Sequence, residues 1–149
     1  LLLDTDTGAV GHGSAAATAM ITGETHASIE AAWRLHLLPA VIGGEVAALP
    51  ALLERVQRAM AGNTSAKAAV DIAVHDLAAQ AARLPLHRFL GSRLEGNAML
   101  ATDVTISAND VATMRADARA ALEAGYRALK LKVGKHPESD IDTIDALHA

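Results

Sequence analysis

The sequence lacks cysteine and has very few aromatic residues. Among its 149 residues there is no Cys, and Trp, Tyr and Phe occur once each. Without cysteine the chain forms neither a disulfide framework nor a thiolate metal site. Hydrophobic residues still make up 51% of the chain, and much of that fraction is alanine. This composition favours packed helices over an aromatic-rich β-sandwich.

Excess basic charge and long apolar runs are also missing. The net charge is -4, which argues against a nucleic-acid binder because such proteins usually carry a basic stripe. No apolar run approaches the roughly 20 residues of a membrane helix, and the first residues do not resemble a signal peptide. We therefore expect no nucleic-acid or membrane partner and a cytoplasmic location. The chain does not begin with Met, so we expect further residues before Leu1.

The first 25 residues predict a β-hairpin followed by a loop. Short apolar runs within residues 1–13 flank a turn at residues 6–8. Gly11 and Gly13 mark places where another backbone can approach the second strand. Residues 14–25 are small and polar, as in a loop.

Three helices are expected between the loop and Pro85. The first is predicted to be capped by Ser28 and ended by Pro39. The second covers residues 45–60 with one apolar face. The third starts at Ser65 and has apolar residues at i, i+3, i+4 and i+7 spacing.

The second part of the chain alternates strand and helix signals. Residues 98–107 and 128–134 predict strands, residues 110–124 predict a helix, and another helix starts at Asp140. Alternation of this kind with short links is typical of a parallel βα array. We expect a domain boundary between residues 91 and 97, giving domains 1–96 and 97–149.

Lys130 and Lys132 form the strongest candidate for chemistry. They are two positions apart in a predicted strand, so both side chains should project from one face. A bare Lys-x-Lys pattern most often marks the solvated face of a strand. In a βα barrel, however, catalytic groups lie at the carboxyl ends of the strands, where these lysines fall. Two ammonium groups close together in a poorly solvated site disfavour each other's charge, so one can act as a base.

Several motifs in one order carry a resemblance to a known family. Residues 121–134 (ALEAGYRALKLKVG) resemble the muconate-lactonizing subgroup of the enolase superfamily. Residues 102–107 (TDVTIS) resemble the first barrel strand of dipeptide epimerases, including the L-Ala-D/L-Glu type. Other segments resemble the capping domain and the helix leading into the barrel: residues 8–13, 21–25, 38–43, 63–77, 84–86 and 90–91.

The resemblance implies a fold and a reaction. The fold is an α+β capping domain followed by the start of a (β/α) TIM-type barrel, as a fragment of the full two-domain fold. The reaction is dipeptide epimerisation, assisted by Mg²⁺, in which an α-proton next to a carboxylate is removed and returned through an enolate. Lys132 would be the base, and Lys130 would stay cationic and hold the carboxylate. Thr105, and Thr22, Gly23 and Glu24 of a capping segment, would bind the dipeptide substrate.

The resemblance also implies that essential parts lie outside this chain, including the first strand of the capping domain, which is expected before Leu1. A whole barrel needs about 250 residues, so the three carboxylate metal ligands and the opposite-face lysine are expected beyond residue 149, with no metal ligand in the fragment. We therefore predict that the fragment alone is inactive. A homo-oligomer would be in keeping with the symmetry of most soluble enzymes.

Two alternative functions follow from the same residues. A muconate cycloisomerase or o-succinylbenzoate synthase belongs to the same superfamily and shares the lysine pair. A non-catalytic α+β interaction module would need no chemistry at the two lysines.

Overall fold

The computed structural model describes residues 1–94, 99–134 and 137–148. The chain divides into two compact units, residues 1–94 and residues 95–149. The boundary expected after residue 96 lies outside the described residues.

A β-hairpin opens the first unit, as predicted. Strands β1 (Leu2–Asp4) and β2 (Val10–His12) pair antiparallel, with Leu3 opposite Gly11. Both predicted close approaches at glycine are present. A Cβ on Gly11 would lie 2.7 Å from Leu77 Cγ, and a Cβ on Gly13 would lie 2.8 Å from the carbonyl carbon of Ala69. The absence of a Cβ at Gly11 in β2 and at Gly13 directly after it thus allows a helix backbone to pack closely against this segment.

Three helical segments follow the loop. They are α1 (His26–Ala32), which continues through a π-helical segment (Trp33–Leu37) into α2 (Leu38–Val41), and α3 (Leu49–Arg58), which is preceded by a 3₁₀ turn (Val46–Ala48).

The boundaries predicted for the first of these helices are wrong at both ends. Thr25, not Ser28, is the N-cap: its hydroxyl accepts the Ser28 N–H, and the Ser28 hydroxyl accepts the Thr25 N–H. This reciprocal pair is a capping box, in which Ser28 takes the N3 position. Pro39 does not end the helix, because it occupies the first turn of α2, where its missing N–H removes little hydrogen bonding. The preceding π-helical segment is where the hydrogen-bond pattern shifts.

Helix α4 is the centre of the first unit. It spans Thr64–Ala81, one residue earlier than Ser65 suggested, and it ends before Pro85 as predicted. A short helix α5 (Leu86–Phe89) follows. Apolar side chains of α4 pack against those of α1, the π-helical segment and α3 in one core cluster: Ile29, Ala32, Leu37, Leu52, Val56, Ala66, Val70 and Val74.

The second unit contains two strands and two helices in the predicted order. They are β3 (Val104–Ile106), α6 (Val111–Glu123), β4 (Leu129–Leu131) and α7 (Pro137–His148). Both strands are shorter than predicted, and Ala98 and Ala149 lie outside the described residues. The strands pair in parallel, as the βα pattern indicates.

Local signals define the limits of helix α6. Asp110 is its N-cap, and the Asp110 carboxylate accepts the N–H of Thr113. At the other end Gly125 adopts a φ of 94°. The Gly125 N–H donates to the Leu122 carbonyl, and the Tyr126 N–H donates to the Ala121 carbonyl. This pair of bonds is a Schellman motif, which turns the chain from α6 toward β4.

Candidate functional site

The predicted lysines lie along one face of the parallel strand pair. Thr105 of β3 is directly opposite Lys130 of β4 in the register. Because paired residues on adjacent strands project from the same side, the Thr105 and Lys130 side chains are neighbours. The Lys132 N–H donates to the Ile106 carbonyl at 3.2 Å, so the ladder continues to Lys132. Strand alternation therefore places Lys132 on the side of Lys130.

The opposite face of the same strands is apolar and covered. Val104, Ile106, Leu129 and Leu131 pack with the α6 residues Met114, Ala118 and Ala121. This packing fixes which way the strands face, since a one-residue slip would bury the lysines against α6. The helix-covered face corresponds to the outside of a βα barrel, so the lysine face corresponds to the barrel interior.

Thr105, Lys130 and Lys132 are all exposed in this chain. The poorly solvated surroundings that we expected for two neighbouring lysines are therefore not formed by the described residues. The second unit supplies β3 and β4 and the helices on one side of them, which leaves the other face of the strands uncovered. The arrangement can present two amines and a hydroxyl to one ligand, and a charged amine hydrogen-bonds well to a carboxylate.

The other predicted substrate-binding residues lie in the loop before α1. Thr18 and Thr22 stabilise a turn: the N–H groups of Ile21 and Thr22 donate to the Thr18 carbonyl at 2.8 and 2.9 Å. The hydroxyl groups of Thr18 and Thr22 are 3.2 Å apart, and the Thr22 hydroxyl also accepts the Glu24 N–H at 3.3 Å. Gly23 has a φ of 76°, a left-handed conformation that favours glycine. Thr22 and Gly23 thus shape the loop, and their predicted contact with substrate stays a prediction.

Glu24 has a structural role that the resemblance did not indicate. It is only 5% exposed, and its two carboxylate oxygens accept the N–H groups of Ser65 at 2.9 Å and Ala66 at 3.1 Å. These donors belong to the first turn of α4, where N–H groups have no partner within the helix. The carboxylate therefore faces the helix in this chain, although the resemblance counts Glu24 among the substrate-binding residues.

The ionisation of Glu24 follows from these contacts. Burial favours the neutral acid, but hydrogen bonds from the Ser65 and Ala66 N–H groups outweigh it and hold the pKa of Glu24 below its ordinary value of 4.5. The positive end of the α4 dipole acts in the same direction. Glu24 is thus an anion at neutral pH, held against the start of α4.

Sequence reasoning missed the polar contacts that dock the hairpin on α4. The Asp76 carboxylate accepts the His12 N–H at 2.9 Å, and Gln80 donates to the Val10 carbonyl at 2.8 Å. The His12 N–H, more than any other group, holds the pKa of Asp76 below its ordinary value of 3.8. The partners are 64 and 70 positions apart, so no local spacing could have indicated them. By contrast, Asp71 and His75 are only four positions apart on α4, and their side chains lie 2.9 Å from each other.

A cleft of about 950 Å³ lies in the first unit beside the hairpin turn. It is lined by residues of β1, the turn, the segment before α3 and the end of α4. None of the predicted site residues is among the described residues that line it. The cleft is therefore separate from the predicted substrate-binding segment.

The described residues offer no place for a metal ion. Across residues 1–94, 99–134 and 137–148, no group of three or more His, Cys, Asp or Glu side chains is arranged to hold one. Asp140, at the start of α7, instead accepts the Gly134 N–H at 2.7 Å. The residues present therefore do not fit a Mg²⁺ site.

Within the described parts of the chain, no single helix is long and apolar enough to cross a membrane. Only the bent pair His26–Val41 and Val46–Arg58, with 104° between its halves, reaches the required length and composition.

The fold and the strand pair define a member of the enolase superfamily. Residues 1–91 match the family described as "Mandelate racemase / muconate lactonizing enzyme, N-terminal domain". The chain belongs to this family, and its first unit is the α/β capping domain of a two-domain fold.

Similar proteins include several dipeptide epimerases. The chain is 44% identical over 137 residues to the L-Ala-D/L-Glu epimerase of Clostridium acetobutylicum, covering 92% of this chain and 37% of that protein. The substrate-liganded L-Ala-D/L-Glu epimerase of Bacillus subtilis superposes with a TM-score of 0.92 at 41% identity, covering 98% and 40% of the two chains. The Cytophaga hutchinsonii dipeptide epimerase, solved with Mg and D-Ala-L-Val, gives a TM-score of 0.89 at 30% identity, covering 99% and 39%. The chain thus spans about two fifths of these relatives.

Proposed function

We propose that the full-length protein is a dipeptide epimerase. The observation that carries this proposal is the placement of Thr105, Lys130 and Lys132 on the uncovered face of a parallel strand pair. Close relatives of the chain are named as epimerases that act on dipeptides. The substrate class proposed here is a dipeptide whose C-terminal residue has a free carboxylate next to the reacting carbon.

Lys132 is proposed to be the base on one face of the substrate. Its neutral amine takes the proton from the α-carbon, the C–H bond breaks, and the electron pair moves into the adjacent carboxylate to give an enolate. Lys130 keeps its charge and faces the carboxylate, so it stabilises the charge that develops there. A protonated group outside this chain then donates a proton to the α-carbon from the opposite face, which gives the inverted epimer.

Thr105 is proposed to bind the dipeptide beside the two lysines. Its position opposite Lys130 puts its hydroxyl within the same row of side chains. A hydroxyl both donates and accepts hydrogen bonds, so it can contact an amide or a carboxylate group of the substrate. Thr22 and Gly23 remain proposed substrate-binding residues of the capping segment.

Mg²⁺ is proposed to be a cofactor of the full-length protein. It would stabilise the negative charge of the enolate. Its ligands would lie beyond residue 149, because the described residues do not fit a metal site.

The experiment that tests this function uses the full-length protein. Purified protein is incubated with Mg²⁺ and L-Ala-L-Glu, and formation of the second epimer is followed by NMR. We expect epimerisation by the full-length protein and none by the 149-residue chain, which spans about two fifths of its relatives. Activity only on a muconate or a succinylbenzoate precursor, or turnover by the short chain alone, would contradict the proposal.

A further inference from the structure

The first turn of helix α4 anchors three different segments of the first unit. Ser65 and Ala66 donate their N–H groups to Glu24, and the Ala66 carbonyl accepts the indole N–H of Trp33 at 2.9 Å. Lys67, which is 8% exposed, donates to the Gln57 carbonyl at the end of α3 at 2.9 Å. The loop, the π-helical segment and α3 are therefore all attached to three consecutive residues.

Glu24 is the only one of the loop's four residues from Ile21 to Glu24 that is buried in the structure. Residues on the outer side of the loop are exposed, with Met20 at 98% and Ile21 at 84%. Because these two side chains are exposed, they add little packing, and hydrogen bonds hold the segment. The Glu24 carboxylate accepts two of them from α4, and the Thr18–Thr22 turn and the Thr25–Ser28 capping box supply others.

We propose that Glu24 is a positioning residue that fixes the capping segment, residues 18–25, to the rigid start of α4. It acts through Thr22 and Gly23 and not by touching substrate itself. The carboxylate is suited to this role because each of its two oxygens accepts a hydrogen bond from a backbone N–H group. A neutral side chain would form weaker hydrogen bonds with these N–H groups. The expected effect of Glu24 on substrate binding rests on the proposed function, whereas its expected effect on the mobility of residues 18–25 does not.

Hydrogen exchange of the full-length protein tests the positioning directly. In Glu24→Gln we expect the amides of residues 18–25 to exchange at least about tenfold faster than in the wild type, since a weakened anchor lets the loop open more often. Amides in the middle of α4 should keep their wild-type rates. The matched control is Glu54→Gln, which removes an exposed carboxylate paired only with Arg58 on the surface of α3.

Kinetics provide the second readout. For Glu24→Gln we expect KM for the dipeptide to rise about tenfold, which corresponds to about 1.4 kcal/mol, while kcat changes much less. Glu24→Asp should recover part of the loss because the charge remains. If the wild type shows no epimerase activity, the proposed function fails, yet the exchange measurement still decides the positioning role.

A second variant covers the case in which Glu24→Gln does not fold. Thr22→Val removes the hydroxyl that accepts the Glu24 N–H but leaves the α4 contacts in place. It should raise exchange within residues 18–25 alone. The proposal would be overturned if Glu24→Gln showed wild-type amide exchange and a wild-type KM. If Glu24→Gln does not fold, unchanged exchange of residues 18–25 in Thr22→Val would overturn it.

Discussion

Lys130 and Lys132 are proposed to have different roles in the reaction, because only the base must lose its proton. Lys132 is the proposed base, and Lys130 is the proposed cation that faces the carboxylate. The strand places both amines on one face, but neither role follows from geometry alone. Substitution by arginine separates the roles, because a guanidinium keeps its charge and does not act as a base at neutral pH.

Arginine variants of the full-length protein should therefore differ. Lys132→Arg should lower kcat by about 10²–10⁴-fold, the usual contribution of a positioned general base. Lys130→Arg should retain considerably more activity, since it keeps the positive charge. Steady-state kinetics on both variants check this, and an equally severe loss in Lys130→Arg would contradict the division of roles.

Asp76 offers a second test at the level of one residue. Its carboxylate accepts the His12 N–H, and its pKa is below 3.8 in the folded protein. A lowered pKa stabilises the fold at pH values above 3.8, and this stabilisation is lost as the pH falls through the lower folded pKa. Asp76→Asn should therefore destabilise the protein at pH 7 by about 1–2 kcal/mol.

The pH dependence distinguishes charge from packing at Asp76. Denaturant unfolding of the wild type and Asp76→Asn should show a difference that shrinks as the pH falls below 3.8. Asp117→Asn, an exposed change on α6, is the control and should show little difference at any pH. A constant difference for Asp76→Asn across this range would mean that ionisation of Asp76 is not involved.

At the level of elements, the contact between β2 and α4 depends on two missing side chains. A Cβ on Gly13 would overlap the Ala69 carbonyl oxygen of α4, so strand and helix could not approach as they do. Gly13→Ala should destabilise the first unit by about 3 kcal/mol, at the upper end of the usual cost of overpacking. Thermal unfolding of the full-length variant measures this loss.

Gly8→Ala is the matched control for Gly13→Ala. Gly8 has a φ of 82° in the hairpin turn and open space around its Cα, so alanine there meets only backbone strain of about 1 kcal/mol. Equal losses of stability in the two variants would contradict the claim that Gly13→Ala destabilises the protein by preventing the close approach to α4.

Elements with strong local signals could be predicted from the sequence. The hairpin, the long helix α4 and the order of β3, α6 and β4 follow from turn residues and apolar spacing, and the structure confirms them. The candidate strand pair follows from the same patterns. The limits of α1 were not found, because Thr25 and Ser28 are both good capping residues and Ser28 takes the N3 position of a capping box whose N-cap is Thr25.

Contacts between distant residues could not be predicted. Glu24 meets Ser65 over 41 positions and Asp76 meets His12 over 64, and neither pair leaves a pattern in the sequence. The resemblance pointed to the segment around Glu24 but not to the direction of its side chain. The lysine face could be predicted because strand alternation is a local property.

At the level of the whole molecule, the chain combines a capping domain with the beginning of a second unit. One face of β3 and β4 packs with α6 and with Leu147 of α7, whereas the lysine face is exposed. The curated relatives are about two and a half times as long as this chain, which covers 35–41% of their length. Catalysis is therefore proposed for the full-length protein and not for this part of it.

Deuterium exchange at the substrate α-carbon tests the central claim most directly. The full-length protein, Lys132→Ala and the exposed helix control Arg119→Ala are incubated with the dipeptide and Mg²⁺ in D₂O, and deuterium at the carbon next to the carboxylate is followed by NMR. The wild type and Arg119→Ala should epimerise the dipeptide with uptake of deuterium, and Lys132→Ala should epimerise it about 10²–10⁴-fold more slowly. Wild-type rates of epimerisation and deuterium uptake in Lys132→Ala would contradict the assignment of Lys132 as the base.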